Sequence, residues 1–566
     1  MYATRRDWEK FQSFLFGLQS FLAECLCSHL FLQKECFCLC YTKSSLFQGG
    51  IVLESNQKQL SAAFKQSSSK LALATEGILV GILAGLGAVV YRYILTYAGA
   101  WQQALYQITN FPWLIALFLF LGIMGALTGI LVQLAPLSSG SGIPQVSGEL
   151  LGEMSMRPLP TLFSKYLGGF MAMLAGMSLG REGPSIQIGA AISKAYTKWR
   201  KHGDLSQRIL LTSGASAGLS AAFNAPIAST LFVVEEVHKN ISPFILIPAL
   251  LASISADLVS KWVFGLTPSF AIKMDQLLPQ SSYYLIIILG LVTALVGTTF
   301  NQVLLAFQRF LQKHFPNVVV RIALGFLLTG LIVWAFPALA GSGHDLVYQY
   351  LEMPWPLKSL ILVLIGKLLF TCFCYGTSTP GGIFLPTLVM GCLTGAVSFQ
   401  VFSLFIDLDP DLLANFVVLG MAGVLTAVVR SPLTSMVLVL EMVGSLQNFL
   451  PVAIVAITAY LLAEALKVAP IYDSLYDRMR PLPQDHKEKE AAILEFDVPL
   501  TSSLAGKKLA DLDLPQEILI ASIVRGRASL VPKGATTIQA KDRLLIVTSK
   551  DHLAATKKLF REAAKT

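Results

Sequence analysis

From Leu71 to Leu466 apolar segments follow one another almost without pause, and this run constrains the fold more than any other feature of the chain. A backbone surrounded by lipid must satisfy its N–H and C=O groups internally, which leaves helices or a closed barrel. Leu71–Ala98, Trp113–Leu134, Leu162–Met177, Phe244–Phe264, Tyr284–Phe310, Val318–Leu339 and Leu357–Phe373 are candidate spans, with Leu385–Phe405 and Val452–Leu466 as further ones. Ile186–Ala195, Ile209–Phe223, Pro226–Val234, Phe416–Val429 and Pro432–Leu440 fall short of the roughly 20 apolar residues a crossing needs. They read as partial or tilted helices that meet inside the bilayer. Composition agrees: 14% of the 566 residues are charged and the mean hydropathy is +0.63, against about 25% charged in soluble domains. The net charge of +9 lies mostly in short loops and at the ends, so it flanks a membrane rather than marking a nucleic-acid surface.

The apolar run is interrupted at four places that carry glycine, serine or proline: Ser139–Gln145, Gly180-Arg-Glu-Gly-Pro184, Gly376–Pro386 and Pro470-Ile-Tyr472. The second places an ionisable pair, Arg181–Glu182, between membrane-length segments. A charge there costs at least roughly 2.5–3.5 kcal/mol on insertion scales, so it marks function by default. An internal repeat runs through the same breaks. Asn224–Glu236 resembles Arg430–Met442 at an offset of 206, Gly140-Ser-Gly142 recurs as Gly341-Ser-Gly343 at 201, and Gly180–Pro184 aligns with Gly376–Pro380 at 196. Two halves built from broken helices point to a transporter with its substrate near the midplane.

In the first three breaks proline follows a glycine or serine cluster and precedes an apolar run, the signature of a helix start. A helix start offers unpaired amides and the positive end of the dipole, which suits an anion and holds a cation poorly. Several starts aimed at one point bind a monovalent anion without a full positive charge, so it can still leave. The hydroxyls of Ser141 and Tyr472 are two further donors.

The ends of the chain differ. Residues 1–69 form an N-terminal extension, with an apolar stretch at Phe11–Leu32 and five cysteines between Cys25 and Cys40, to which no role is assigned. The spacing Cys36-Phe-Cys-Leu-Cys40 lacks the gaps and histidines of a zinc site, so no metal is expected. After Tyr476 a charged linker leads to short β-type runs at Ile493–Val498, Ile518–Val524, Ala528–Val531 and Arg543–Val547, with helices expected at Leu504–Leu512 and His552–Ala563. This is a small α+β domain.

Gly140-Ser-Gly-Ile-Pro144, Gly180–Pro184, Gly382-Ile-Phe-Leu-Pro386 and Tyr472, with Ala222–Pro226, Glu235-Glu236, Ser431-Pro-Leu433 and Glu441, resemble the anion-site motifs of the CLC family of chloride channels and chloride/proton exchangers. The resemblance covers about residues 70–480, with halves roughly 70–270 and 280–480. It implies an all-α polytopic fold of two inverted halves, and a homodimer with one anion pathway per subunit. It implies that Ser141 and Tyr472 coordinate chloride through their hydroxyls, joined by Gly183 and by the amides of Ile383 and Phe384. Glu182 matches the family's gating glutamate and Glu236 the inner proton-transfer glutamate. Having both favours a chloride/proton antiporter over a passive voltage- or pH-gated channel. Lys165 is similar to a family lysine that raises the local positive potential. Beyond a linker at 481–499, residues 500–566 resemble the TrkA-type regulatory (RCK-C) domain, through Ser503–Leu512 and Lys541–Ile546. That implies a cytosolic, ligand-sensing module below a plasma (cell inner) membrane. A potassium-transport regulator is the remaining alternative, but the chain has no Thr-Val-Gly-Tyr-Gly filter. No enzymatic activity, cofactor or nucleic-acid partner is expected.

Overall fold

The computed structural model describes residues 53–479 except 108–110, 240, 241, 267, 273, 275 and 277. It also describes 491–549 except 500, 501, 503, 513, 516, 517 and 527, together with 556, 559 and 560; side chains of the first part are described from Leu71 onward. The cysteines between Cys25 and Cys40 and the apolar stretch Phe11–Leu32 lie outside these residues. The chain divides into two compact units, Met1–Arg480 and Pro481–Thr566.

The first unit is helical. Its first half comprises α1 (Leu53–Tyr106), α2 (Phe111–Leu134), α3 (Ile143–Leu151), α4 (Pro158–Leu174), α5 (Glu182–Trp199), α6 (Asp204–Phe223), α7 (Pro226–Phe232) and α8 (Pro243–Phe264). Its second half comprises α9 (Tyr283–His314), α10 (Val318–Ala335), α11 (His344–Glu352), α12 (Leu357–Gly376), α13 (Phe384–Ser403), α14 (Leu413–Val429), α15 (Pro432–Val443), α16 (Phe449–Ala465) and α17 (Ile471–Met479). Among the described residues, eight helices are long and apolar enough to cross a membrane. Leucine, isoleucine and phenylalanine on α2, α8, α9 and α10 remain exposed, as lipid-facing helices require. Helix α13 and the span Pro410–Val429 are instead 83% and 89% buried over their most apolar 18 residues, so these two helices form the centre of the unit.

The halves correspond element by element. The nine-residue helices α3 and α11 begin 201 residues apart, α5 and α13 202 apart, and α7 and α15 206 apart. Asn224 and Arg430, which end α6 and α14, both take left-handed backbone at φ 55° and 71°. The alignment of Gly180–Pro184 with Gly376–Pro380 is corrected by the fold. The structural counterpart is Gly382–Pro386, since these are the residues that open α13 as Gly180–Pro184 opens α5. Gly180 and Gly382 exchange two backbone hydrogen bonds, N to O at 2.6 and 2.7 Å, in an antiparallel bridge. Equivalent segments therefore meet in opposite directions, as inverted halves do.

Several spans differ in length from their apolar runs. The run Ile186–Ala195 belongs to an 18-residue helix and Ile209–Phe223 to a 20-residue one. Phe416–Val429 joins the short turn before it to form the 20-residue span Pro410–Val429, long enough to cross. Polar residues such as Ser185 and Thr197 carry α5 beyond the run because their hydroxyls are satisfied by carbonyls of the same helix, Arg181 O at 2.9 Å and Lys194 O at 3.1 Å. An apolar count stops too early at such positions. Leu162–Met177 and Val452–Leu466 become helices of 17 residues.

The second unit is a four-stranded antiparallel sheet in the order β1-β4-β2-β3, with β1 Ala491–Asp497, β2 Leu519–Arg525, β3 Ala528–Leu530 and β4 Arg543–Ser549. Val498, Leu504, Ile520, Ile523, Ile538, Leu544, Ile546 and Phe560 form its core. The helix expected at Leu504–Leu512 is not formed; the segment is a chain of turns with one short turn of helix at Leu509–Asp511. Its backbone is taken by a neighbouring strand-like segment instead, Gly506 N bonding Ile538 O at 2.8 Å and Leu509 N bonding Thr536 O at 3.0 Å. Of His552–Ala563, residues 556, 559 and 560 are described and are helical. Asp542 is buried and accepts from Arg525 through Nε and Nη2 at 2.9 and 2.8 Å, and the guanidinium holds its carboxyl below the usual carboxylate range.

Candidate functional site

Four helix starts come together between the two halves. Gly142 precedes α3 with φ 95°, a left-handed conformation that lets the chain turn sharply into the helix. Its equivalent, Gly343, precedes α11 with φ 87°. The turn Gly140–Gly142 packs directly on the start of α5: a Cβ on Gly183 would lie 2.8 Å from the Ser141 Cβ. The same turn is tied to the start of α13, because Gly381 N donates to Gly140 O at 3.0 Å. Tyr472, second residue of α17, joins from the other side. Its ring meets Phe232 at 6.1 Å and Phe232 meets Phe384 at 5.5 Å, so α7, α13 and α17 share one aromatic contact. Of the residues predicted from sequence, Ser141, Glu182, Gly183, Ile383, Phe384 and Tyr472 are thus joined in one buried cluster, and all are at most 4% exposed where they carry side chains.

Polar groups in this cluster are left without protein partners. Neither carboxylate oxygen of Glu182 makes a hydrogen bond, although the residue is fully buried. The amides of Glu182 itself and of Leu385 face the carboxylate, short of hydrogen-bond geometry. Arg181 Nε stands 4.0 Å from Oε1, a loose ion pair, and makes no hydrogen bond. The carboxylate packs on Gly180, where a Cβ would collide with it. Gly180, Gly381, Pro380 and Tyr91 border a cavity of about 20 Å³, room for roughly one water. The Tyr472 hydroxyl is also buried and unpartnered. Ser141 Oγ accepts from Ile143 N at 3.3 Å and keeps its proton for another acceptor.

Glu236 is placed apart from this cluster. It lies on a single wide helical turn, Val233–Val237, in which His238 N bonds Val233 O at 2.7 Å; such turns interrupt α-helices frequently at functional sites. The side chain is 8% exposed, with Oε2 accepting from Ser431 Oγ at 2.8 Å and Oε1 unpartnered. Both Glu236 and Glu182 lie within electrostatic reach of Tyr472. The neighbouring Glu235 accepts from Thr434 Oγ1, and Glu441 caps α7 by accepting from Ile227 N and Ala228 N at 3.2 and 2.8 Å. These carboxylates hold one half against the other.

The lysine noted from sequence has a structural counterpart. Lys165 is fully buried and donates to Gly140 O at 2.6 Å. Lys367 is fully buried and donates to Gly341 O at 2.6 Å and Leu339 O at 3.0 Å. Each half therefore fixes its glycine turn with a lysine Nζ. Lys367 was not singled out in the sequence, although it follows Lys165 by 202 residues, the same offset as the starts of α5 and α13. Tyr375, whose hydroxyl packs against the Gly140 turn, was also missed.

The family model described as "Voltage gated chloride channel" matches residues 124–464, and the model described as "TrkA-C domain" matches residues 493–561. The chain is 33% identical over 450 residues to the H(+)/Cl(-) exchange transporter ClcA of Cronobacter sakazakii, covering 77% of this chain and 94% of that protein. The crystal structure of a slow cyanobacterial Cl-/H+ antiporter matches with a TM-score of 0.67 at 30% identity, over 72% of this chain and 97% of that one. The crystal structure of a CLC-type fluoride/proton antiporter matches with a TM-score of 0.61 at 26% identity, over 71% and 97%. A eukaryotic CLC transporter shares the fold, with a TM-score of 0.62 at 20% identity over 74% and 77%. With its helix starts gathered between two inverted halves and a TrkA-C domain following them, this chain is a multi-pass membrane protein that belongs to the voltage gated chloride channel (CLC) family.

Proposed function

We propose that the protein is a secondary-active antiporter that moves chloride across the membrane in exchange for protons. The observation that carries this reading is Glu182, a fully buried carboxylate with neither oxygen hydrogen-bonded, set among helix starts of both halves. An ionised carboxylate at a helix start gains from the dipole, while burial without a close partner costs several kcal/mol. The position therefore suits an anion that comes and goes. Deprotonated, Glu182 fills it; protonated, the side chain loses its hold on the amides and gives way to chloride. Gly180, on which the carboxylate packs, borders a small cavity. Chloride and proton movement then share one side chain, and that sharing is the coupling.

Chloride in the central position is held by the hydroxyls of Ser141 and Tyr472, by the amides of Ile383 and Phe384, and by Gly183. The unpartnered Tyr472 hydroxyl supports this role, as it is a buried donor in need of an acceptor. Glu236 passes protons between the aqueous side and Glu182; its unpartnered Oε1 and partial exposure support that role. Lys165 raises the positive potential at the turn that carries Ser141. Kinship with the family supports a homodimer with a separate pathway in each subunit and a place in the plasma membrane. The same kinship supports a cytosolic TrkA-C domain that binds a small-molecule ligand.

Reconstitution in sealed vesicles tests the reading. An outward chloride gradient is expected to drive protons inward against their own gradient, reported by an entrapped pH indicator. Chloride flux with no proton movement would replace the antiporter by a passive chloride channel.

A further inference from the structure

We infer that Ser431 is a positioning residue of the proton path: its hydroxyl, reaching across from the second half, holds Oε2 of Glu236 and leaves Oε1 as the oxygen that takes up and releases the proton. The inference rests on the reading of Glu236 as the inner proton-transfer group. Ser431 immediately precedes α15 and is 2% exposed. At that position a serine hydroxyl ordinarily accepts from an amide of the first helical turn. Here it makes no such bond and donates to Glu236 Oε2 at 2.8 Å instead. Oε1 of the same carboxylate is buried and unpartnered.

The internal repeat separates this bond from those that only assemble the halves. Glu235 and Glu441 stand 206 residues apart, the offset of the repeat, and each reaches the start of the other half's short helix. Glu441 accepts from the amides of Ile227 and Ala228, and Glu235 accepts from the hydroxyl of Thr434, the repeat counterpart of Ala228. Contacts of this kind therefore run in both directions. The Glu236–Ser431 bond runs in one only, because the counterparts at the same offset are Met442 and Ala225, which cannot form it. It is an addition to a symmetric frame, and it falls on the glutamate that keeps a second oxygen for a proton.

The chemistry follows from the carboxyl group. Ionised, it only accepts; protonated, it carries one O–H and still accepts at the other oxygen. A proton that adds at Oε1 leaves the Ser431 O–H···Oε2 bond in place, and its departure from Oε1 returns the carboxylate to where it was. The group cycles without turning. Without the serine hydroxyl the two oxygens are equivalent and the proton settles on either. The ionised form also loses a donor, so the proton is held more tightly. Glu235, Lys239 and Asp473 are the charged groups around Glu236, with Lys239 and Asp473 paired to each other. All three stay in place when Ser431 is changed.

The test compares Ser431→Ala and Ser431→Thr with the unaltered full chain in vesicles, reading proton flux over a range of pH together with chloride flux. Ser431→Ala is expected to move the pH profile of proton flux upward by roughly half to one pH unit, a three- to tenfold tighter hold on the proton, the span of one net hydrogen bond. Ser431→Thr keeps the hydroxyl and is expected to restore the profile. In the Glu236→Ala background, Ser431→Ala is expected to leave chloride flux unchanged. Should Ser431→Ala fail to fold, Ser431→Cys, a weaker donor, replaces it with a shift in the same direction. An unshifted profile overturns the inference, as does an equal shift in Ser431→Thr. Slower chloride flux in the Glu236→Ala background overturns it too, because Ser431 then acts on the fold or the anion path. Proton flux that survives Glu236→Ala would instead overturn the reading of Glu236, and the inference with it.

Discussion

Among the described residues, Glu182 is the one acid with both carboxylate oxygens buried and unpartnered, and the proposed mechanism concentrates on it for that reason. Removing the carboxylate leaves the helix starts in place but takes away the group that competes with chloride and carries the proton. Glu182→Ala is therefore expected to move chloride in vesicles with proton movement reduced to the leak of protein-free vesicles. Glu236→Ala is expected to lose proton movement while chloride still flows, since its Ser431 bond touches no residue of the anion cluster. Retained coupling in either variant would remove that glutamate from the mechanism. Glu182, Ser141 and Tyr472 were legible in the sequence because a polar residue beside glycine or proline in an apolar run is costly and therefore selected. Tyr375 and Lys367 were not. A tyrosine at the end of an apolar run is what a membrane interface also requires, and a lysine near a helix end is what snorkelling produces. Only the packing of Tyr375 on the Gly140 turn and of Lys367 on the Gly341 turn separates them from those ordinary roles.

At the scale of elements, the helix starts depend on turns that are held from outside the helices. The turn before α11 is held by Lys367, which donates to Leu339 O and Gly341 O from within α12. Lys367→Met keeps much of the side chain's length and leaves two buried carbonyls without that donor. Each such loss costs about 1–3 kcal/mol, against about 0.5 kcal/mol or less for a surface change. Lys367→Met is expected to lower the melting temperature in detergent clearly, with Lys358→Met, an exposed site on the same helix, as the unchanged control. Equal melting of the two variants would show that the Gly341 turn stands without its lysine. Which elements exist was largely legible, since apolar runs and glycine–proline breaks are direct consequences of lipid as solvent. Their lengths were not, because α5 extends through polar residues whose hydroxyls are satisfied within the helix itself. The repeat was legible as well, but its central pair was misaligned. Gly376–Pro380 resembles Gly180–Pro184 in composition, whereas the helix start and the Gly180–Gly382 bridge belong to Gly382–Pro386. At Leu504–Leu512 the sequence points to a helix, and hydrogen bonds to residues 534–538 from elsewhere in the sheet domain override it.

For the whole molecule, the division into two units separates the proposed chemistry from whatever controls it. Ser141, Glu182, Gly183, Glu236, Ile383, Phe384 and Tyr472 all belong to the first unit, which ends at Arg480. The contacts that set the site are internal to that unit: the Gly180–Gly382 bridge, the Gly381–Gly140 bond and the aromatic contact among Phe232, Phe384 and Tyr472. The second unit has a core of its own around Ile523, Leu544 and Ile546, and its Asp542, which is buried, is paired within it by Arg525. Coupling is a property of a side chain shared by two ions, so it does not require the sheet domain; the rate at which the cycle runs is open to control through α17, which carries Tyr472 and leads to that domain. A chain ending after Arg480 is therefore expected to exchange chloride for protons in vesicles with the same ratio of ions as the full chain, while its absolute rate changes. The measurement is the reversal potential of the proton flux at several chloride gradients, which reads the ratio independently of how many copies insert. An altered ratio in the shortened chain would place part of the coupling machinery beyond Arg480, and the assignment of both glutamates as sufficient for proton transfer would fall with it.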